Sequence, residues 1–249
     1  MKAETKQIIV FILLSYLFSW AMWGVQLIRG EFDNVTGVLI ILGPGIAALI
    51  VSRKTIGIKR FIKQCYTFEQ RFLYYGIILA FFTWRYITTM LVSQRIEGSG
   101  FVVMLAWIPF YIIFGGNEEF GWRYLQTQME KKMHCVYAAF ICTLIWTFWH
   151  IPNFLAPWDY RNTIFDFLFF LGFCLTSTFS LAAIYKLTRS VLFCVLFHAF
   201  GNALSHQYAL TDGTGPLAIA AGYSIEGLVS MTILILIGKG LIKPAKEHI

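Results

Sequence analysis

The sequence predicts an all-α membrane protein, a polytopic bundle of about eight transmembrane helices with its active site in the bundle core. Of the 249 residues, 58% are hydrophobic and only 13% are charged, whereas soluble domains carry roughly a quarter charged residues. So little polar surface could not cover a water-soluble core. Apolar segments close to the roughly 20 residues needed to cross a bilayer recur along the chain. No linker is long enough to separate a second domain, so residues 1–249 are predicted to form one membrane domain.

The basic residues indicate a topology. The 20 lysines and arginines exceed the 13 acidic residues by 7. This excess could indicate nucleic-acid binding, but the basic residues lie in short loops, where they orient a membrane protein by the positive-inside rule. We therefore expect a lipid bilayer, and no nucleic acid, as a partner. The connector Arg53–Arg71 is the strongest cytoplasmic marker, with an interfacial helix around Ile58, Phe61 and Ile62. The loop charges place both termini in the cytoplasm, in what we expect to be a bacterial cell membrane.

Eight apolar segments are the predicted spans. Arg85 in the third span is expected either to pair with Glu226 of the last span or to extend towards the interface. The apolar part of the fourth span ends by Phe114, too early to cross, so its helix must continue into polar sequence. Pro152 should end or kink the fifth span. The predicted spans are Gln7–Ile28, Val35–Val51, Phe72–Val92, Phe101–Met129, Cys135–Ile151, Ile164–Tyr185, Val191–Leu204 and Leu217–Ile237.

The stretch Gly115–Arg123 places two carboxylates and an arginine in this lipid-adapted sequence. Ionisable groups at membrane depth usually face a protein interior or a water-filled cavity and carry function. In a continuous helix Glu119 lies under Arg123, in the favoured orientation for an ion pair. Glu118 points about 100° away. It is therefore expected to have no partner in its own helix and to be available for chemistry.

Two further spans carry polar residues of catalytic type. His150 lies in the fifth span, and His198 and Asn202 lie four residues apart in the seventh. Side chains from separate helices can converge in a bundle core. With Glu118 as general base, such a set suits attack by water on an amide, while Asn202 and one histidine donate hydrogen bonds to the developing oxyanion. Glu118, His150 and His198 could instead bind Zn²⁺ with an open fourth position.

The remaining candidates have simpler interpretations. A single histidine in a span often forms only a helix–helix hydrogen bond. His134, His206 and His248 are interpreted as loop or helix-end residues, and the tryptophans Trp122, Trp146 and Trp149 as packing or interface anchors. Zincin, nucleophile-elbow and Walker motifs are absent. The cysteines have no CxxC pair and are expected to be reduced thiols packed among helices; they are Cys65, Cys135, Cys142, Cys174 and Cys194.

Three motifs resemble those of the CPBP family, the CAAX proteases and bacteriocin-processing enzymes also called the Abi family. The family pattern is EExxxR, then an aromatic-xxx-His in the next span, then HxxxN in a later span. The resemblance covers roughly Trp107 to Ser205, within a core of about residues 101–205. The second motif usually begins with Phe, where this chain has Trp146. The motifs read here Glu118-Glu119-Phe120-Gly121-Trp122-Arg123, Trp146-Thr147-Phe148-Trp149-His150 and His198-Ala199-Phe200-Gly201-Asn202.

The resemblance implies an intramembrane endopeptidase, labelled as a metalloprotease, that acts on a peptide or protein substrate. In that family, Glu118 and His150 would activate water, and His198 and Asn202 would stabilise the oxyanion. Glu119 and Arg123 would organise the site. Two alternatives remain open at this point. One is a non-catalytic membrane immunity protein that binds a bacteriocin-like peptide. The other is a proton-coupled transporter, which the lack of inverted repeats disfavours.

Overall fold

Every element in the described part of the chain is helical, so the predicted all-α class is confirmed. The computed structural model describes residues 3–54, 56–65, 72–93, 98–159, 163–208 and 216–244. Two short 3-10 helices, Gly116–Glu118 and Ile151–Leu155, interrupt the α-helices. The α-helices are α1 Ala3–Arg29, α2 Asn34–Ser52, α3 Ile58–Cys65, α4 Phe72–Ser93, α5 Gly98–Ile113, α6 Glu119–Glu130, α7 Cys135–Trp149, α8 Ile164–Thr188, α9 Val191–Tyr208 and α10 Pro216–Gly238.

Large apolar side chains on the outer surface make this an integral membrane protein. Leu17 of α1 is 65% exposed and Phe165 of α8 is 79% exposed, as expected for side chains that contact lipid tails and not water. Five segments of the described chain are long and apolar enough to cross a membrane. They are Glu4–Arg29, Asn34–Ser52, Gly100–Glu130, Cys135–Leu155 and Ile164–Thr188. The eight predicted crossings are therefore not established.

The connector after α2 contains the expected amphipathic helix. In α3, Phe61 and Cys65 are buried against the bundle, whereas Lys59, Ile62 and Lys63 are exposed. This alternation follows the helical period and leaves a basic outer face. Its position at a membrane interface remains a prediction. Arg71, at the far end of the predicted connector, lies outside the described residues.

Helix α6 is the centre of the bundle although it is the most polar of the long elements. It packs against α2, α7 and α9, and Arg123, Gln126 and Gln128 on it are buried. Gly121 permits the closest approach, because a Cβ there would collide with the Pro44 backbone of α2. The surrounding helices thus keep the polar side chains of α6 away from lipid, as polar groups at membrane depth require.

The fourth predicted span is broken at the site residues, which corrects the expectation of one continuous helix. Helix α5 ends at Ile113, a 3-10 turn covers Gly116–Glu118, and α6 begins at Glu119. The paired glycines Gly115 and Gly116 have low helix propensity. At Gly116 a Cβ would also lie 2.7 Å from the Val195 carbonyl oxygen of α9. The break therefore brings the backbone of this turn against α9.

Pro152 ends the fifth span as expected. Helix α7 stops at Trp149, and Pro152 lies in the 3-10 helix that follows. His150 is the residue between these two helices. The loss of the amide donor at proline explains why the α-helical hydrogen-bond pattern does not continue through this point.

Candidate active site

Glu118 is held by two tryptophan side chains at the turn between α5 and α6. Its carboxyl group is buried, and its Oε2 accepts hydrogen bonds from Trp122 Nε1 at 3.1 Å and from Trp146 Nε1 at 2.7 Å. Trp122 lies one helical turn further along α6, and Trp146 belongs to α7. Indole N–H groups are donors only, so both orient the same carboxylate oxygen.

Glu119 links α6 to α9. Its Oε1 lies 2.9 Å from His198 Nδ1, and its Oε2 lies 2.8 Å from Arg123 Nε. The second contact is an ion pair without the alignment of a hydrogen bond. The predicted Glu119–Arg123 pairing at four-residue spacing is therefore present. It balances the arginine charge inside the bundle and orients the His198 ring.

A polar chain continues from this ion pair along α6. Arg123 Nη1 donates to Gln126 Oε1, and Gln126 Nε2 donates to Glu130 Oε1 at 2.7 Å. Lys186 of α8 pairs with Glu130 at 2.8 Å. These contacts satisfy buried polar groups and connect the site to the end of α6, where side chains become less buried.

Asn202 and His198 meet beside Gly115. A Cβ on Gly115 would collide with Asn202 Nδ2 and would lie 3.5 Å from His198 Nε2. The Gly115 carbonyl oxygen in turn accepts the Glu118 backbone N–H at 2.9 Å. The absent side chain at Gly115 thus opens the space into which the amide of Asn202 and the outer nitrogen of His198 project.

Three polar atoms of the candidate site residues have no hydrogen bond to any described residue. They are Glu118 Oε1, His198 Nε2 and Asn202 Nδ2. Some side-chain nitrogen and oxygen atoms of the described residues are fully enclosed and lack a hydrogen-bond partner, but these three atoms are not among them. Glu118 and His198 are also close enough to interact electrostatically. His198 Nε2 and Asn202 Nδ2 therefore meet beside Gly115, and the carboxyl group of Glu118 lies near His198.

His150 joins this group through Trp146. Its Nδ1 lies 2.9 Å from the Trp146 carbonyl oxygen, so that nitrogen carries the proton in this contact. The ring of Trp146 lies 5.5 Å, centroid to centroid, from the rings of both His150 and His198. His150 is half-buried among the aromatic rings of Trp149 and Phe170.

The segment that carries all of these groups matches a known family. Residues 100–204 match the family model described as Type II CAAX prenyl endopeptidase Rce1-like. These residues form an Rce1-like domain of the CPBP family. The resemblance found in the sequence motifs is thereby confirmed. No curated protein matches the chain. The family supports an intramembrane endopeptidase in general terms.

The Rce1-like domain contains two site residues whose role sequence reasoning missed. The sequence predicts Trp122 and Trp146 to be packing or interface anchors, yet both donate to Glu118. The expectation that Glu118 has no partner in its own helix is wrong, because Trp122 stands four residues after it. That spacing was a usable signal. Nothing in the sequence indicates that Trp146, on another helix, reaches the same oxygen.

The predicted zinc ligands do not form a metal-binding cluster in the Rce1-like domain. Among the residues that the structure describes, no three His, Cys, Asp or Glu side chains are grouped so that they could hold a metal ion. One nitrogen of each candidate histidine is already engaged, His198 Nδ1 with Glu119 and His150 Nδ1 with its own helix. Such a contact at Nδ1 is common in zinc-bound histidines, so zinc binding by Glu118, His150 and His198 stays a prediction.

The structure also shows the positions of the other polar residues about which the sequence makes a prediction. Arg85 pairs with Glu226, which is the first of the two arrangements expected from the sequence. His134 caps α7 by accepting the Val136 N–H, and His206 lies two residues before the end of α9, so both are helix-end residues. His248 lies outside the described residues. The five cysteines are free and buried, as predicted.

Proposed function

We propose that this protein is an intramembrane endopeptidase in which Glu118 activates water for attack on a peptide bond. One observation carries the proposal. Glu118 Oε1, His198 Nε2 and Asn202 Nδ2 are uncommitted among the described residues. The two nitrogens lie beside Gly115, and Glu118 is close to His198. A base and two donors around one point are what hydrolysis of an amide requires.

The proposed reaction uses Glu118 twice. Glu118 Oε1 accepts a proton from water while the water oxygen attacks the carbonyl carbon of the substrate. The electron pair of the C=O bond moves to oxygen, where His198 and Asn202 donate hydrogen bonds to the negative charge. Protonated Glu118 then gives its proton to the leaving nitrogen. The C–N bond breaks, and the products are a carboxylic acid and an amine.

The contacts of His198 define the protonation state that this role needs. Because Nδ1 donates to Glu119, Nε2 can donate to the oxyanion only when the ring is a cation. The carboxylates of Glu118 and Glu119 together carry the two negative charges that balance the cations of His198 and Arg123. The ion pair thereby positions the ring of His198 without itself touching the substrate. This is the organising role that the resemblance assigns to Glu119 and Arg123.

His150 has a secondary role in this proposal. Its ring contacts Trp146, whose indole holds Glu118, and it borders the site from α7. With Nδ1 as donor to a carbonyl oxygen, the neutral ring has a lone pair on Nε2. We propose, as the family resemblance implies, that His150 shares the attacking water from this position. No step of the proposed reaction passes through a metal ion.

The decisive test is Glu118→Gln, which keeps the shape of the side chain and removes the base. We expect cleavage of a membrane-associated peptide or protein substrate to fall by at least about 100-fold, the contribution typical of a positioned general base. Glu31→Gln, at an exposed position between α1 and α2, is the matched control and should cleave normally. Undiminished cleavage by Glu118→Gln would overturn the proposal. A chelator added to the same assay tests the zinc expectation separately.

The same variants also distinguish catalysis from binding. If the protein acts as an immunity factor that only binds a bacteriocin-like peptide, protection of cells should survive Glu118→Ala and His198→Ala. Under the proposed function, both substitutions abolish cleavage. We also propose, from the loop charges, that both termini face the cytoplasm of a bacterial cell. Reporter fusions to each terminus test this orientation.

A further inference from the structure

Arg85 and Glu226 form a buried ion pair outside the Rce1-like domain. Arg85 lies on α4 and Glu226 on α10, and their side chains are 2% and 1% exposed. Arg85 Nε donates to Glu226 Oε2 at 3.0 Å, and Nη2 donates to Oε1. Ser180 of α8 adds a hydrogen bond to Oε1 at 2.6 Å. A two-point guanidinium–carboxylate contact fixes the arginine plane as well as its charge.

The arginine plane rests against α9 at two points. The Arg85 guanidinium carbon lies 4.2 Å from the centroid of the Phe197 ring. A Cβ on Gly201 would lie 2.9 Å from Arg85 Nη1. Phe197 and Gly201 are one helical turn apart and face the same side of α9. The missing side chain of Gly201 is therefore what lets the guanidinium lie against this helix.

These two contact points immediately precede the two site residues of α9. Phe197 is followed by His198, and Gly201 is followed by Asn202. Successive residues differ by about 100° around a helix. A rotation of α9 about its axis would therefore move the Arg85 contacts and the two donor groups together. Arg85 is also close enough to His198 to interact electrostatically.

We propose that the Arg85–Glu226 ion pair is a positioning device for the active site. It fixes the rotation of α9, so that His198 Nε2 and Asn202 Nδ2 point at the space beside Gly115. The inference rests on the proposed function and assigns the site a support from two helices that the family match does not include. Displacement of a catalytic group by about 1 Å lowers rates by up to about 100-fold, so the pair acts on turnover more than on substrate binding.

The test replaces the pair without leaving an unpaired buried charge. Removing one partner strands the other, whereas replacing both with apolar residues is often tolerated. In Arg85→Met/Glu226→Leu we expect a folded protein whose kcat falls about 10- to 100-fold with KM little changed. Arg85→Lys keeps the charge but loses the two-point contact. Its kcat should therefore lie between that of the wild type and that of the double variant. Wild-type kcat in the folded double variant would overturn the inference.

A second variant keeps the inference testable if the double variant does not fold. Gly201→Ala leaves both charges in place and pushes α9 and the fixed guanidinium group of Arg85 apart, because the new Cβ would lie 2.9 Å from Nη1. We expect normal thermal stability and a kcat lowered by about 10-fold, since small misplacements already reduce rates. Wild-type kcat in Gly201→Ala would also overturn the inference.

Thr89→Val is the matched control for these variants. It removes the 3.1 Å hydrogen bond to Tyr223, which joins the same two helices, α4 and α10, and it leaves the contacts between Arg85 and Glu226 in place. Its kcat should equal that of the wild type. Retained cleavage in Glu118→Gln would instead refute the proposed function, so the two failures are distinguishable.

Discussion

The two oxygens of Glu118 have different surroundings. Oε2 accepts both indole hydrogen bonds, from Trp122 and Trp146, whereas Oε1 has no hydrogen bond to a described residue. Both tryptophans are buried, so their rings cannot follow a movement of the carboxylate. A base whose orientation is fixed before substrate arrives requires little reorganisation during the reaction.

We predict that Trp146→Phe lowers kcat about 10-fold or more and leaves KM nearly unchanged. Phenylalanine keeps an aromatic ring against His150 and His198 but removes the donor to Glu118. A hydrogen bond to a charged group contributes about 1.5–3 kcal/mol, which corresponds to a factor of about 10 to 100. Steady-state kinetics on a peptide substrate measures both constants.

Two further variants show whether the donor itself is responsible. Trp122→Phe removes the longer of the two indole hydrogen bonds to Glu118, so its effect on kcat should be smaller. Trp84→Phe, at a partly exposed position on α4, removes an indole away from the site and should behave as wild type. If Trp146→Phe retains the kcat of Trp84→Phe, the indole of Trp146 does not position the base.

At this scale the sequence predicts contacts within a helix better than contacts between helices. The Glu119–Arg123 pair follows from four-residue spacing, which is fixed by helix geometry. The contact of Trp146 with Glu118 depends on how far α7 is rotated and translated relative to α6. Local sequence does not encode that placement, so it predicts only a packing or interface anchor at Trp146.

At the scale of elements, the break between α5 and α6 is the feature that the sequence did not predict. The apolar pattern of the fourth predicted span continues up to Phe114, and the length needed to cross a bilayer favours a continuous helix. The structure instead ends α5 at Ile113 and turns through Gly115 and Gly116. Close contact of this turn with Val195 and Asn202 explains the choice of glycine. That reason is visible only once α9 is in place.

The start of α2 has a pH-dependent cap. Asp33 accepts the Thr36 N–H at 3.0 Å and also pairs with the Thr36 hydroxyl group. Hydrogen bonds from Thr36 lower the pKa of Asp33 below its ordinary value of 3.8. The stability that the carboxylate contributes is therefore present above pH 3.8 and is lost as the pH falls through the lowered pKa.

We predict that Asp33→Ala lowers the Tm of the protein at neutral pH by a few degrees, because an N-cap is lost. The difference from wild type should shrink at acidic pH, where the wild-type carboxylate becomes protonated. Thermal unfolding in detergent at several pH values measures this difference in Tm. Asp33→Asn is the control, since asparagine caps as well but does not titrate. A difference between Asp33→Ala and wild type that is the same at every pH would contradict the assignment.

For the whole molecule, composition predicts the membrane class but not the number of crossings. Low charge and long apolar segments are sufficient to infer a helical membrane bundle. Helix α4 carries Arg85, and α9 carries His198 and Asn202. Neither is among the five segments of the described chain that are long and apolar enough to count as a crossing. Their polar residues face the bundle and not lipid, which hydropathy cannot distinguish.

Exposure changes along one face of α9. His198, Asn202 and His206 are spaced four residues apart and therefore share a face of the helix. His198 is buried, Asn202 is half-buried and His206 is exposed. The His206 ring packs against Trp107 of α5 at 4.4 Å between centroids. We therefore expect the site to open towards the end of α9, along the seam between α5 and α9.

This opening can be detected by labelling a single introduced thiol. All five native cysteines are buried. Burial also raises the pKa of the Cys65 thiol, in the connector after α2, to about 12. Because the thiolate is the reactive form, Cys65 should contribute little background at neutral pH.

We predict that His206→Cys reacts rapidly with a charged maleimide, whereas Ala203→Cys, at a fully buried position on the same helix, reacts only after unfolding. In detergent solution this comparison tests exposure alone, and failure of His206→Cys to react would contradict an opening at the end of α9. In intact cells the same reagent also reports sidedness. The loop charges place the end of α9 opposite the basic connector, so the reagent should label His206→Cys from outside. Labelling only in permeabilised cells would retain the opening but reverse the predicted topology.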